Sequence, residues 1–515
     1  MYLTQALHRS VQQDPDRPMT VFGDRMRSFR EVHDRVTRLA GGLRALGVQP
    51  GDRVGIYSFN SDRYHEYLLA VPWLGAVLNP VNIRWSPDEV AFSLRDSDTR
   101  VLLVDDAFAQ NIPVLLEKAP DIRAVIHCGE GKCPDGAIDY ETLISDSAAV
   151  DDTRTGGDAM LGIFYTGGTT GHPKGVMLTH DNLLTSSLGC LATGEFLTHR
   201  GRLLHAAPMF HLADLMSWTA GCLVGSTHVI VPLFSPEAVL AAIERHDVTD
   251  ALLVPTMIQM LVDDPRTPAT DLSTLRHLVY GASPMSEGLL DRARRVFSDT
   301  GFTQAYGMTE LSPVATLLLP DEHADPTLRR SAGRAAPHAE VTIVDSDDQE
   351  LPRGTVGEVV VRGDHVMLGY WNRPQDTADA LRDGWMHTGD GGYINENGYV
   401  FVVDRIKDMI ISGGENVYSA EVENALAKHP AVAACAVIGV PDDQWGERVH
   451  AAVVLQPGSV ATESDLREHV KSLIAGYKTP RTVEFVEALP MSGAGKILKR
   501  ELRQQHWSNR GTQVS

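Results

Sequence analysis

Short apolar runs rich in valine and isoleucine alternate with amphipathic stretches through most of this chain, and that alternation limits its fold more than any other feature. The runs include RVGIYSF (53–59), VLLVDD (101–106), AVIHC (124–128), HVIVP (228–232) and ALLVPTM (251–257). Between them lie SFREVHDRVTRLAGGLRALG (28–47) and SPEAVLAAIERHD (235–247), whose apolar residues recur at helical spacing. Strands of this length alternating with helices imply an α/β architecture with largely parallel sheets. From Val341 to Gly363 the pattern changes to closely spaced strands, VTIVD and GEVVVRG, which predicts a smaller β subdomain. A boundary is expected near Asp404–Asp408. After it come a helix (419–430), two strands (433–441 and 450–456) and a helix (463–476), a compact α+β unit.

Charge and cysteine content remove several function classes. The formal net charge of −21 is unlike the basic stripes of a nucleic-acid-binding surface. No run of about 18 apolar residues predicts a transmembrane helix. The N-terminal stretch, MYLTQALHRSVQQDPDRP, lacks the basic and apolar regions of a signal peptide; it reads as an amphipathic helix ended by Asp14–Pro15. The 5 cysteines, an odd and sparse set, fit a reducing cytoplasm better than a disulfide framework. Cys128 and Cys133 lie near His127, but a structural zinc site needs a fourth ligand that the sequence does not offer there.

The stretch YTGGTTGHPKG (165–175) carries the strongest chemical signal. Its glycines let successive backbone N–H groups turn inward as an anion nest. Thr166, Thr169 and Thr170 add hydroxyls, and Lys174 adds a cation. The loop suits a triphosphate, yet it is not a Walker A loop: Lys174 follows Pro173, and a strand pattern follows in place of a helix. Five further segments join it: PMFH (208–211), QAYGMTE (304–310), WMHTGD (385–390), DRIKDMIISGGEN (404–416) and GAGKI (493–497).

Taken in this order and spacing, the six segments resemble the adenylate-forming superfamily over essentially the whole chain. SGGENVYSAEVE (412–423) and GKILKRELR (495–503) are most similar to fatty-acyl-CoA and related acid–CoA ligases. The resemblance implies a large N-terminal domain, 1–404, built of α/β subdomains plus a β subdomain and binding acid and ATP. It also implies a small mobile α+β domain, 405–515, that turns about a hinge at Lys407. ATP, Mg²⁺ and coenzyme A are the implied cofactors, and a carboxylic acid is the substrate. The loop residues Thr166, Gly167, Gly168, Thr169, Thr170, Gly171 and Lys174 would hold the β- and γ-phosphates. Gly281, Ala282, Ser283 and Tyr306 would line the adenine site, with Tyr306 stacking on the base. Thr309 would touch the α-phosphate, Glu310 would hold Mg²⁺, and Asp390 with Arg405 would take the ribose. Lys496 would act in the first half-reaction only. Ser412, Gly413 and Gly414 would lie along the thiol's path. His211 would stand between acid pocket and thiol tunnel. Relatives often carry serine at the position of Gly167; a backbone N–H remains there, so phosphate binding is expected to survive.

Physical chemistry fits these roles. Adenylation is in-line attack by a carboxylate on the α-phosphorus, so positioning and countercharge dominate. An aspartate such as Asp390 avoids phosphates and suits a diol that donates two hydrogen bonds. The candidate acid pocket, Leu212, Ala213, Trp218, Val279, Gly281, Gly307, Met308 and Val314, is apolar and offers no charge for an amino-acid substrate. The expected reaction is therefore ATP-dependent joining of a medium- to long-chain fatty or alicyclic acid to CoA. An aryl acid, a carrier-protein acceptor, and a non-catalytic nucleotide-binding module are the alternatives. A homo-oligomer is compatible with the sequence.

Overall fold

Two large, mostly parallel sheets take up the strand–helix alternation. The chain is described by a computed structural model covering residues 1–166, 173–283, 285–412, 415–442, 444–491 and 497–507. In the first sheet, Met160–Thr166, Val77–Pro80, Arg53–Tyr57, Val101–Val104, Ala124–His127 and Ile138–Asp139 run parallel in that spatial order. Lys174–Thr179 and Gly369–Tyr370 complete one edge in antiparallel pairing. The second sheet has a parallel centre, Gly301–Gly307, His277–Gly281, Asp250–Leu253, Arg202–His205, Thr227–Ile230 and Pro18–Phe22, with antiparallel strands at both edges.

Local chemistry sets the helix ends. Ser28 accepts a hydrogen bond from the Glu31 backbone N–H, and the Glu31 carboxylate reaches back to Ser28 N at 2.7 Å. Thr179 and Asn182 make the same reciprocal cap for the helix His180–Leu191. Each such cap contributes about 1 kcal/mol. The run ALLVPTM divides: the strand ends at Leu253 and a helix, Pro255–Val262, begins on the proline. Proline has no N–H for the ladder, but its fixed φ suits the first helical position.

The main core lies between the two sheets. The helix Asp62–Trp73 is buried along its whole length there. Its charged residues are therefore paired: Asp62 accepts from Arg25 at 2.6 and 2.7 Å, and Glu66 accepts from Arg35 at 2.6 Å and Tyr140 at 2.7 Å. Unpaired, each would carry a desolvation cost of several kcal/mol, on the order of what holds a whole domain together.

Glu340–Val344, Gly357–Arg362, Trp385–Ile394 and Val400–Arg405 form a third, antiparallel sheet. The last hundred or so residues build a fourth. There Val432–Asp442 and Gly446–Leu455 pair antiparallel, and Thr482–Phe485 adds a parallel strand. This sheet has its own apolar cluster, including Ile410, Val422, Leu426, Val437, Val453, Leu466 and Val470. Among the described residues, no helix is long and apolar enough to cross a membrane.

Candidate active site

The C-terminal ends of the adjacent parallel strands His277–Gly281 and Gly301–Gly307 define the site, as is usual for open α/β sheets. The two backbones approach so closely that a Cβ on Gly281 would lie 2.2 Å from the Ala305 carbonyl oxygen. A Cβ on Gly307 would lie 1.9 Å from the Pro313 carbonyl oxygen. Only glycine allows either approach. Ala282 follows in the left-handed region, φ 65°, and turns the chain toward Ser283.

Tyr306, one residue before this close approach, donates its phenol O–H to Asp390 Oδ2 at 2.8 Å. Asp390 sits on Trp385–Ile394, opposite Arg405 in the register of the neighbouring strand. Arg405 Nε lies 2.7 Å from Asp390 Oδ1. Thr388 steadies the turn: its hydroxyl accepts from the Asp390 N–H at 3.1 Å and donates to the Val359 carbonyl at 2.7 Å. Burial, and then the Asp390 carboxylate, push the Tyr306 phenol well above its ordinary value, so it remains a donor. Burial, the largest influence, lowers the Arg405 guanidinium, but Asp390, Tyr306, Asp408 and Glu310 together outweigh it and the net direction is up.

A second cluster adjoins the first. Glu310 is buried in the short turn Thr309–Leu311 and accepts the Tyr370 O–H at 2.8 Å. Lys174 Nζ lies 5.0 Å from the centroid of the Tyr370 ring and 2.6 Å from Asp376 Oδ1. Thr166 faces Lys174 across the hairpin that brackets the Gly/Thr loop. Burial, followed by Glu310, raises the Tyr370 phenol. Tyr370 and Asp376 escaped the sequence reading. The signal available was MLGYWNRPQDT (367–377), a tyrosine between glycine and an Asn-Arg-Pro turn.

His211 caps the helix Leu212–Val224, its Nδ1 accepting from the Ala213 N–H at 3.4 Å. Ala213, Gly307 and Met308 are half-buried. Leu212, Val279 and Val314 are at most 2% exposed, and Trp218 is 0% exposed. The Trp218 indole N–H is committed to His65 Nδ1 at 2.8 Å, inside a buried group that includes His205, His228 and Asp214. Trp218 is thus wholly buried in the packing around this helix.

Around the Arg405–Ser412 segment, Asp404 accepts from Ser419 N at 2.5 Å and from Ser419 Oγ at 2.6 Å. The terminal helix Lys499–Trp507 reaches the same place. Lys499 pairs with Glu423 at 2.8 Å, and Arg503 pairs with Asp408 at 2.7 Å. Sequence reading missed both, though they stand four apart in GKILKRELR. Ser412 is buried on Ile410–Ser412. Gly167, Gly168, Thr169, Thr170, Gly171, Gly413, Gly414 and Lys496 lie outside the described residues, as does the Lys407 side chain. At the cysteines, His127 is held by Asp106 at 2.9 Å, and burial pushes the Cys128 thiol up to about 12.

The site matches a known family. The AMP-binding enzyme family model covers residues 7–371, and the AMP-binding enzyme C-terminal domain model covers 421–496. The chain belongs to this family. It is an AMP-forming acid–CoA ligase, for which ATP and CoA are the implied co-substrates. It is 41% identical to a feruloyl-CoA synthase of an Amycolatopsis species over 503 residues, 96% of this chain and 97% of that one. It is 37% identical to the fatty acid–[acyl-carrier-protein] ligase ScoC of Streptomyces coeruleorubidus, over 100% of this chain and 98% of that one. The amide bond synthetase McbA of Marinactinospora thermotolerans superposes with a TM-score of 0.87 at 31% identity, over 98% of this chain and 99% of that chain.

Proposed function

We propose that the chain activates a compact, ring-bearing apolar acid, aryl or alicyclic, as its acyl-adenylate and then transfers the acyl group to CoA. The joined clusters Tyr306–Asp390–Arg405 and Glu310–Tyr370–Lys174 carry the adenylation part. The first presents an aromatic ring beside a carboxylate that can accept from a ribose diol. The second sets a buried carboxylate and a lysine where a triphosphate would lie. Glu310 would hold Mg²⁺, an ion that takes one or two protein carboxylates beside substrate phosphates. Such an ion would offset charge on the phosphoryl oxygens. Thr309 would touch the α-phosphate, and Gly281, Ala282 and Ser283 would flank the adenine. In the first half-reaction the acid's carboxylate attacks the α-phosphorus and pyrophosphate leaves. In the second the thiolate attacks the acyl carbon and AMP leaves.

Lys174 must exchange Asp376 for phosphate when ATP arrives. Asp376→Asn should therefore lower KM for ATP by about two- to fivefold, the scale of a half-exposed ion pair. Steady-state kinetics with ATP varied would check this; an unchanged or higher KM would contradict the exchange.

The depth of packing carries the choice of acid. Leu212, Trp218, Val279 and Val314 reach almost no solvent-accessible space, which leaves Ala213, Gly281, Gly307 and Met308 as the surface an acid can meet. A palmitoyl chain would need room for about 14 methylenes, each worth about 0.8 kcal/mol when buried. A medium- to long-chain fatty acid is the second reading; the apolar lining and the likeness to ScoC favour it. Thioester formation with benzoate, a cinnamate, cyclohexanecarboxylate, octanoate and palmitate separates the two. A ring-bearing acid should lead in kcat/KM by about tenfold, the value of roughly 1.4 kcal/mol of differential binding. A lead of that size for octanoate or palmitate would establish the second reading. Replacing CoA with a phosphopantetheinylated carrier protein in the same assay would identify the acceptor.

The separate apolar cluster after Asp404 supports reading 1–404 and 405–515 as two domains, with Lys407 as the hinge between half-reactions. Lys407→Pro fixes φ and removes an N–H, so it should slow thioester formation about tenfold or more while sparing adenylation. Single-turnover measurements of both steps would check it, and equal slowing would remove Lys407 from the hinge.

A further inference from the structure

We propose that the C-terminal sheet carries a site for a late first-row divalent cation such as Zn²⁺, built from His450, Glu484 and His506. The three come from different elements. His450 lies on Gly446–Leu455, Glu484 on the parallel neighbour Thr482–Phe485, and His506 in the last turn of the helix Lys499–Trp507. Strand register pairs His450 with Thr482 and Ala452 with Glu484, so the His450 and Glu484 positions fall on one face, staggered by two residues.

One donor atom from each of the three lies within 4.8 Å of the other two. His450 Nε2 is 3.5 Å from Glu484 Oε2, and His506 Nε2 is 3.9 Å from the same oxygen. The edge of a tetrahedron with metal–ligand bonds of 2.0–2.1 Å is about 3.3 Å, so small rotamer adjustments bring these atoms onto one ion. The two imidazole rings stand 4.7 Å apart between centroids.

His450 has a side chain only 7% exposed, and its Nε2 makes no hydrogen bond. A buried ring nitrogen left this way has a cost that a metal bond would remove. Its other nitrogen, Nδ1, is held by Thr482 Oγ1 at 2.8 Å. Fixing one ring nitrogen through an outer partner while the other faces the donor set is the pattern of histidine ligands in metal sites. Arg448, a charged same-face neighbour on that strand, is drawn to Asp442 at 3.7 Å. Glu484 and His506 are part-exposed and give the ion an entry path.

Two imidazoles and one carboxylate select zinc or its late neighbours over Mg²⁺ or Ca²⁺, which prefer all-oxygen sets. With these three ligands and a water in the fourth position, the bound ion would tie the helix that follows Lys496 to the sheet beneath it. The site uses none of the adenylation residues, and its reading is independent of the acid used.

The test is equilibrium dialysis of untagged, full-length, chelator-stripped protein against Zn²⁺, with bound metal measured by mass spectrometry. The unaltered chain should take up about one equivalent. His506→Ala and Glu484→Gln, both at part-exposed positions, should each weaken binding at least about tenfold. A His429→Ala/His469→Ala variant removes another histidine pair, with centroids 5.0 Å apart, and should bind as the unaltered chain does. Co²⁺ should give the visible d–d bands of a low-symmetry nitrogen–oxygen site, lost in His506→Ala. No uptake by the unaltered chain, or equal uptake by all four proteins, would overturn the proposal.

Discussion

Asp390→Ala should lower kcat/KM for ATP on the order of 100- to 1000-fold, with the larger part in binding. The carboxylate is poised to accept two ribose hydroxyls, and hydrogen bonds to a charged group are worth about 1.5–3 kcal/mol each. It also anchors its neighbours. Tyr306 and Arg405 both use Asp390 oxygens, at 2.8 and 2.7 Å, and would be left without that acceptor. Tyr306→Phe separates the two contributions. It removes one phenol hydrogen bond and keeps the ring against which adenine would stack, so it should cost less than about tenfold. Isothermal titration with ATP and steady-state rates on both variants would read this difference. If Asp390→Ala were no worse than Tyr306→Phe, Asp390 would be an anchor for tyrosine alone, with no part in holding the nucleotide.

Lys496→Ala should abolish adenylation while leaving thioester formation from supplied acyl-adenylate nearly intact. The expected loss in the first half-reaction is on the order of 100-fold or more, since a countercharge to the developing phosphoryl charge is removed. On the proposed two-domain reading, this lysine would serve one step only. The helix just after it is bound to residues that follow the proposed hinge, Lys499 to Glu423 and Arg503 to Asp408. A turn of the C-terminal unit about Lys407 would carry Lys496 with it. Pyrophosphate release and acyl-adenylate consumption, followed separately, distinguish the two steps. Equal loss in both would show that Lys496 stabilises the fold or binds a shared group.

The α/β architecture was legible because it rests on periodicity, and short apolar runs such as VLLVDD and AVIHC, set between amphipathic stretches, fit buried strands. The clustering of Tyr306, Asp390 and Arg405 was legible from motifs, though no local rule brings residue 390 beside residue 306. That proximity comes from the third sheet, whose strand register sets Asp390 opposite Arg405. Tyr370 and Asp376 were missed because their roles exist only in space. Their segment pairs antiparallel with Lys174–Thr179, and nothing in MLGYWNRPQDT announces that partner. Trp218 shows the opposite failure. It stands seven residues after His211, two helical turns and about 10 Å further on, on nearly the same face. Helical phase places it with the pocket; depth removes it. His65 and His228, from other elements, close over that part of the helix, and one helix's sequence does not encode how far a cavity runs along it.

Acid-dependent exchange of labelled pyrophosphate into ATP tests the central claim most directly. The exchange needs reversible formation of an acyl-adenylate and does not need the thiol. With the ring-bearing acids above, label should enter ATP in the absence of CoA, acyl-AMP should be detectable by mass spectrometry, and Asp390→Ala should suppress both. Acid-independent ATP cleavage, or cleavage to ADP and phosphate with no exchange for any acid tested, would contradict it.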